Sequence, residues 1–221
     1  MRQKLFLDSY WQVQNTNQLY TGTDEVNFGL NRFSDWTDEE YEDLMLSGTY
    51  IPGTPVGPPV PDWPVQDESL ASSVNWVDEN VVGDVRDQWY DGSSCVSNYA
   101  IASVAALESA NAIENDLTTE TTYELDGVTP IPPTFVRLSA QQVVSCSDAE
   151  GNMACDGGSH TWAMDYMWDN AIHTAEDYPY TGLSDSCNTT ITDDATLDTV
   201  QASIYRRVSI GNTNALMAEV A

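Results

Sequence analysis

The chain has 221 residues, of which 41% are hydrophobic, and its 35 acidic and 7 basic residues give it a formal net charge of −28. The hydrophobic content suffices for a folded core, so we expect a globular protein with one large domain or two smaller ones. Because like charges repel, the acid excess excludes nucleic acid and an anionic membrane surface as favoured partners. No stretch approaches the roughly 18 apolar residues of a membrane span, and no apolar signal core follows Met1.

The cysteine content indicates disulfides rather than a metal site. The four cysteines are Cys95, Cys146, Cys155 and Cys187. They contain no CxxC pair and only two histidines accompany them, so we expect neither a metal nor another cofactor. Two disulfides would require an oxidising compartment, and four cysteines permit three pairings that the sequence alone does not separate. In such a compartment Asn188, which begins the sequon Asn-Thr-Thr, is a glycosylation candidate.

The first 50 residues are predicted to form two helices around an extended segment. Apolar positions recur at helical spacing over residues 2–20, and VNFGLNRFSDW then alternates in the manner of a strand. Thr37 followed by three acids is typical of an N-cap and predicts a helix over 38–46. The stretch IPGTPVGPPVPDWP is too rich in proline and glycine for a helix or central strand, and predicts a linker.

Beyond the linker, helical patterns dominate. SVNWV predicts a short strand, and the apolar residues of 97–114 predict a long helix at the centre of a core. A polar, proline-bearing surface loop is expected over 115–133. Two more helices follow, one capped by Ser139 and one that begins at Ser159 or Thr161, and TNALMAEVA begins a last helix.

In this order the segments resemble the zymogen of a papain-like cysteine peptidase. GLNRFSD matches the GxNxFxD motif of the family's inhibitory propeptide at all four fixed positions. The residues that match its interrupted helix motif are Arg2, Leu5, Phe6, Val13 and Asn17. The resemblance implies a propeptide over 1–50 that is incomplete at its N-terminus, a linker over 51–68 and a peptidase domain over 69–221. The implied fold is α+β, here mainly the helical lobe, with the β-barrel lobe mostly absent because the chain ends early.

The second half carries matching motifs. SVNWV is similar to the family's SVDWR strand, LSAQQVVSC to LSEQELLDC, CDGGSHTWA to CNGG with its helix, and EDYPYTG to the YPY turn. VRDQ is similar to VKNQ, which implies that Gln88 is the oxyanion-hole glutamine. The resemblance also implies the disulfides Cys95–Cys155 and Cys146–Cys187. Gly157 and Gly158 would line the cleft and offer backbone hydrogen bonds to an extended peptide.

Asn98 occupies the position of the catalytic cysteine. The family signature CG[SA]C[WY] aligns with CVSNY, in which the carboxamide is not a nucleophile because its nitrogen is conjugated with its carbonyl. Ser97 is one residue out of helical phase, and Cys95 is needed for a disulfide. We expect His160 and His173 to be structural, and the family's histidine and asparagine partners to lie beyond the chain end.

We therefore expect a papain-like cysteine peptidase homologue that is catalytically inactive and binds a peptide, or its own propeptide, in the groove. One alternative is an active cysteine endopeptidase zymogen whose sequence is truncated or incorrect at position 98. Another is an inhibitor that blocks other cysteine peptidases through residues 2–50. A further expected partner is a chain or segment that supplies the missing lobe, and the expected location is secreted, lysosomal or vacuolar.

Overall fold

The computed structural model describes residues 1–19, 27–45, 71, 73–90, 92–123, 129–205, 208 and 211–220. The chain divides into two compact units, Met1–Ser47 and Gly48–Ala221. The predicted linker over 51–68 lies outside the described residues.

The first unit contains the two predicted helices, α1 (Arg2–Leu19) and α2 (Asp38–Met45). Thr37 caps α2 in a reciprocal arrangement, in which the Glu40 amide donates to Oγ1 of Thr37 at 3.1 Å and the Thr37 amide donates to the Glu40 carboxylate at 2.9 Å. Arg2 donates two hydrogen bonds to the same carboxylate, at 2.7 and 2.8 Å. The two helices of this unit are thus joined at their first turns.

The strand predicted in VNFGLNRFSDW is wrong, because the described part of this segment forms an irregular turn. Oδ1 of Asn31 accepts a hydrogen bond from the Phe33 amide at 2.9 Å, and the Asn31 amide donates to the Ser34 hydroxyl at 2.9 Å. The Asn17 side chain on α1 bonds the backbone carbonyl and amide of Phe28, at 2.8 and 2.7 Å. Side chains therefore occupy backbone groups that a strand would offer to a neighbour.

The second unit is α+β with helices in the majority. Its described helices are α3 (Asn98–Glu114), α4 (Ala140–Cys146), α5 (His160–Asp169), α6 (Thr189–Thr192) and α7 (Thr213–Val220), with a short 3₁₀ turn at Ala154–Asp156. Its described strands form three antiparallel pairs of two residues each: β1 (Trp89–Tyr90) with β2 (Ser93–Ser94), β3 (Thr122–Tyr123) with β4 (Pro130–Ile131), and β5 (Ile172–His173) with β6 (Thr199–Val200). The second of these pairs lies within the predicted surface loop.

The core forms where α4 and α5 pack against α3. Its fully buried apolar residues are Ala100, Val104, Leu138, Val143, Ala163, Met167 and Ile172. The position of α3 in the core confirms the predicted central helix, but only one of its faces is buried. The opposite face, which begins at Asn98 and continues through Ala102, Ala105, Ala106 and Ala110, is exposed.

Two helix starts are confirmed at their caps. Ser139 accepts a hydrogen bond from the Gln142 amide at 2.9 Å. Of the two residues considered for the start of α5, Ser159 is the cap, since its hydroxyl accepts from the Thr161 amide at 3.3 Å. Both caps satisfy amides that have no partner within the helix.

The short strand predicted in SVNWV is wrong. The Asn75 carbonyl accepts from the amides of Asp78 and Glu79, at 3.0 and 3.3 Å, so the chain turns here. Trp76 donates from Nε1 to the Val220 carbonyl of α7 at 2.9 Å. A turn that begins at Asn75 and a hydrogen bond from the Trp76 indole are thus found where strand pairing was expected.

Candidate functional site

A disulfide joins the two segments that flank the candidate groove. Cys95, just before α3, bonds Cys155, just before α5, with an S–S distance of 2.04 Å. The Val96 amide reinforces this link by donating to the Cys155 carbonyl at 3.1 Å. Cys146 and Cys187 form the second disulfide. This is the pairing that the family resemblance implies, and it leaves the protein without a free cysteine.

Asn98 is the first residue of α3 and its side chain is exposed. Neither its backbone N–H nor its carboxamide has a hydrogen-bond partner among the described residues. The N–H groups in the first turn of a helix point outward at the positive end of its dipole. The position can therefore donate to a ligand, but it holds no sulfur.

Gln88 lies beside this helix start because Tyr180 holds it there. The Tyr180 hydroxyl donates to the Gln88 carbonyl at 2.8 Å and lies 2.6 Å from Oγ of Ser97. A phenol has one proton, so Ser97 donates to Tyr180. Burial raises the pKa of Tyr180, the Ser97 hydrogen bond opposes this shift, and the charge of Asp87 adds to it. The phenol therefore stays protonated, as its role as a donor requires.

The same network engages Ser97, the residue before Asn98. Its side chain is fully buried, and its hydroxyl proton is committed to Tyr180. The carboxamide of Gln88, in contrast, has a buried oxygen without a hydrogen-bond partner in the described structure. Among the described residues of the site, the Asn98 N–H and the Gln88 carboxamide oxygen are thus unpaired, and that oxygen is buried.

Gly157 and Gly158 differ in conformation and in the hydrogen bonding of their backbone groups. Gly157 has a φ of 109°, which favours glycine, and its carbonyl accepts from the Met153 amide at 3.0 Å. Gly158 lacks room for a side chain, because a Cβ there would lie 2.2 Å from Oδ1 of Asn152 and 3.1 Å from the Tyr99 ring. Within the described part of the chain, the N–H and C=O of Gly158 have no hydrogen-bond partner.

The Tyr99 ring links Gly158 to the start of α3. Tyr99 follows Asn98 directly, and its hydroxyl donates to the Ala154 carbonyl at 3.1 Å. The unpaired backbone of Gly158 therefore lies next to the start of α3. Of the two glycines, only Gly158 offers the free backbone groups that the sequence led us to expect from both.

The two histidines occupy different environments. His173, in β5, is buried, with Nδ1 3.2 Å from Oε1 of Gln142 on α4, and its Nε2 has no partner among the described residues. His160 begins α5 and is exposed. Its backbone carbonyl accepts from Ser103 of α3 at 3.5 Å.

Sequence reasoning missed a buried ion pair just before Gln88. Arg86 donates to the carboxylate of Glu108, which is only 2% exposed on α3, and the same carboxylate accepts from the Leu138 amide. Burial raises the pKa of Glu108, and the positive charge of Arg86 opposes that shift. The available signal was an acid in the middle of a mostly apolar helix, since such a group is rarely buried unless it is paired.

Among the described residues, no helix is long and apolar enough to cross a membrane. No group of three or more histidine, cysteine or acidic side chains in that part of the chain is placed to hold a metal ion.

Comparison with known proteins agrees with this geometry. The model of the papain family cysteine proteases matches residues 70–221. A cathepsin L-like proteinase of Phaedon cochleariae is 30% identical over 97% of this chain and 58% of its own length. Digestive cysteine proteinase 3 of Homarus americanus is 31% identical over 84% of this chain and 51% of its own length. The chain thus spans little more than half the length of these relatives.

The fold agrees as well. A digestive procathepsin L2 proteinase from the larval midgut of Tenebrio molitor superimposes with a TM-score of 0.74 at 23% identity, over 100% of this chain and 64% of that structure. Digestive procathepsin L 3 from the same tissue superimposes with a TM-score of 0.72 at 24% identity, over 99% of this chain and 62% of that structure. The chain therefore belongs to the papain family of cysteine proteases and has the papain-like α+β fold.

Proposed function

We propose that this chain is a non-catalytic member of the family that binds an extended peptide along the groove beside Gly158 and Asn98. The observation that carries the proposal is the N–H and C=O pair of Gly158, which lies beside the start of α3 and is unpaired among the described residues. An extended peptide pairs with such a backbone edge through its own amides and carbonyls. Loss of the nucleophile leaves this mode of recognition intact.

The chemistry of the site argues against peptide hydrolysis. Attack on a carbonyl in this family requires a thiolate, which a helix N-terminus and a histidine stabilise. Here all four cysteines are in disulfides and position 98 carries a carboxamide. The Asn98 N–H and the Gln88 side chain can orient a peptide carbonyl. They cannot form an acyl-enzyme.

Peptide binding is tested by calorimetry with a neutral hexapeptide and with analogues N-methylated at one residue each. Because an N-methyl group removes one amide donor, we expect one or two analogues to bind about 3- to 10-fold more weakly, as for the loss of one hydrogen bond. Undiminished binding of every analogue would contradict backbone pairing. A thiol-directed epoxide should not label the chain, and a dipeptidyl fluorogenic substrate should not be hydrolysed.

The proposed organisation is a propeptide-like unit over 1–50, a linker over 51–68 and a peptidase-like domain over 69–221. The exposed apolar face of α3 is a surface for a further chain or segment, because alanine side chains in the described structure otherwise face water there.

The two disulfides favour an oxidising compartment, either secreted or lysosomal. Asn188 is exposed and makes no side-chain cap bond, which suits a glycosylation acceptor.

The chain's own propeptide is a second candidate occupant of the groove.

Inhibition of other cysteine peptidases by residues 2–50 is the alternative function. Its support is the internal bonding of the first unit, where Arg2 pairs with Glu40. A segment of residues 2–50 should then inhibit a papain-family enzyme at nanomolar concentration, and Arg2→Ala should weaken it. No inhibition by the parent segment would end this alternative.

An active zymogen is the other alternative, in which the natural chain has a cysteine at position 98 and continues beyond Ala221. Sequencing the transcript decides it. A cysteine codon at 98 and downstream histidine and asparagine motifs would replace the non-catalytic proposal.

A further inference from the structure

The rim of the groove carries a carboxylate that nothing in the described structure neutralises. Asp156 is exposed and lies two residues before Gly158. Its amide donates to the Met153 carbonyl at 2.9 Å, which holds the turn, but its side chain has no hydrogen-bond or ion-pair partner among the described residues. A charged ligand group can therefore reach it without displacing a protein partner.

In the described part of the second unit, no lysine or arginine side chain pairs with this carboxylate. The basic residues there are Arg86, which pairs with Glu108, and Arg137, which donates to the Asp84 carbonyl at 3.1 Å. A second acid, Asp185, adds to the negative charge of the rim. It adjoins Ser184, whose hydroxyl accepts from the Cys155 amide at 3.2 Å.

The chain's own linker does not supply the missing positive charge. Residues 51–68 contain Asp62, Asp67 and Glu68 but no lysine, arginine or histidine. The groove rim and the linker have the same sign of charge. By charge, a separate basic peptide suits the groove better than this segment does.

We propose that the groove preferentially binds an extended peptide with a lysine or arginine within two residues of the position paired with Gly158, and that Asp156 selects this cation. The inference rests on the proposed peptide binding and specifies its ligand class. An extended peptide advances about 3.3 Å per residue, so a cationic side chain this close to the pairing position can reach the carboxylate. Lysine and arginine are long enough for the contact, and their stems can lie along the rim.

The test uses sets of three hexapeptides that differ only in one residue, which is lysine, norleucine or glutamate. One such set is made for each position of the peptide. Calorimetry at low ionic strength and pH 8, where histidine side chains are neutral, gives the dissociation constants. At the selecting position, lysine should bind about 3- to 10-fold more tightly than norleucine, and glutamate more weakly. The preference should shrink when salt is added.

Asp156→Asn and Asp198→Asn form the matched pair of variants. Both residues are exposed, and each change removes one negative charge, but Asp198 lies before β6. We expect D156N to lose most of the lysine preference and to keep its affinity for the norleucine peptide, and D198N to behave as the parent. Asp156→Glu keeps the negative charge and should therefore keep the preference for the lysine peptide. That result would show that the site tolerates substitution at position 156.

The outcomes separate the two proposals. If no position shows a lysine preference, or if D156N and D198N reduce it equally, the assignment to Asp156 is overturned while peptide binding stands. If the norleucine peptide does not bind at any position, the proposed function fails, and this inference with it.

Discussion

Tyr180 ties the two polar parts of the site together. Its hydroxyl joins the Gln88 carbonyl to the Ser97 hydroxyl, across 92 and 83 positions of sequence. No motif for Gln88 or for position 98 contains it. The arrangement of the groove thus depends on a phenol from the YPY turn.

Replacing this phenol should show its contribution. In Tyr180→Phe the buried Ser97 hydroxyl loses its acceptor and the Gln88 carbonyl loses a donor, which should cost about 1–3 kcal/mol in the free energy of unfolding. Urea denaturation measures this. Tyr90→Phe is the control, because Tyr90 is exposed and contacts Tyr180 only through its ring. Equal effects of the two changes would refute the role of the hydroxyl.

The Arg86–Glu108 pair predicts that the stability lost on replacing Arg86 depends on pH. Removing Arg86 in Arg86→Met leaves the Glu108 carboxylate buried without its cation, a loss of about 3–5 kcal/mol when the acid is ionised. Burial already raises the pKa of Glu108, and the variant lacks the Arg86 charge, the largest of the influences that oppose this shift. The folded state then binds the proton more tightly than the unfolded chain, so stability falls as pH rises above the ordinary carboxyl range.

The cost of Arg86→Met should therefore be larger at pH 7 than at pH 4.5, as measured by urea midpoints at the two values. Adding Glu108→Gln to the variant removes the titrating group and should abolish most of the difference. The same cost at both pH values would show that Glu108 does not govern it.

At the scale of elements, side-chain caps mark where α4 and α5 begin. Ser139 accepts from the Gln142 amide and also donates to the Tyr178 carbonyl at 2.7 Å, so it starts α4 and attaches it to the segment that carries Tyr180. Ser159 caps α5 through one longer bond, of 3.3 Å. The first cap therefore connects elements as well as starting a helix.

Ser139→Ala should destabilise the protein by about 2 kcal/mol, because a cap and a buried hydrogen bond are lost together. Ser159→Ala should cost about 1 kcal/mol or less. Thermal and urea unfolding of both variants provide the comparison. A larger cost for Ser159→Ala would contradict the ranking.

At the scale of the whole molecule, two disulfides of similar loop length have different consequences. Cys95–Cys155 spans 60 residues and Cys146–Cys187 spans 41. Chain entropy predicts a stabilisation of about 4 kcal/mol from each. Only the first joins the segment before α3 to the one that carries Gly158.

Removing each disulfide by paired cysteine-to-serine changes should lower the melting temperature by comparable amounts. Affinity for the neutral hexapeptide should fall only when Cys95–Cys155 is removed, measured by calorimetry well below both melting temperatures. Equal loss of affinity in the two variants would place the groove elsewhere.

The sequence by itself predicted the family and the helices other than the short α6, and it places an asparagine at position 98. Helical hydrogen bonds and caps join residues three or four positions apart, so local patterns at Thr37, Ser139 and Ser159 sufficed to predict where helices begin. The two predicted strands were wrong because asparagine side chains at positions 31 and 75 bond nearby backbone, which competes with alternation. A strand also needs a partner that local sequence does not reveal.

Only the tertiary structure decided how the site is built. The division of roles between Gly157 and Gly158 depends on Asn152 and Tyr99, which fill the space beside Gly158. The Tyr180 bridge and the burial of Glu108 likewise join residues far apart in the chain. Such contacts follow from how the helices pack rather than from any local pattern, so the residues that hold the groove in place became visible only in the fold.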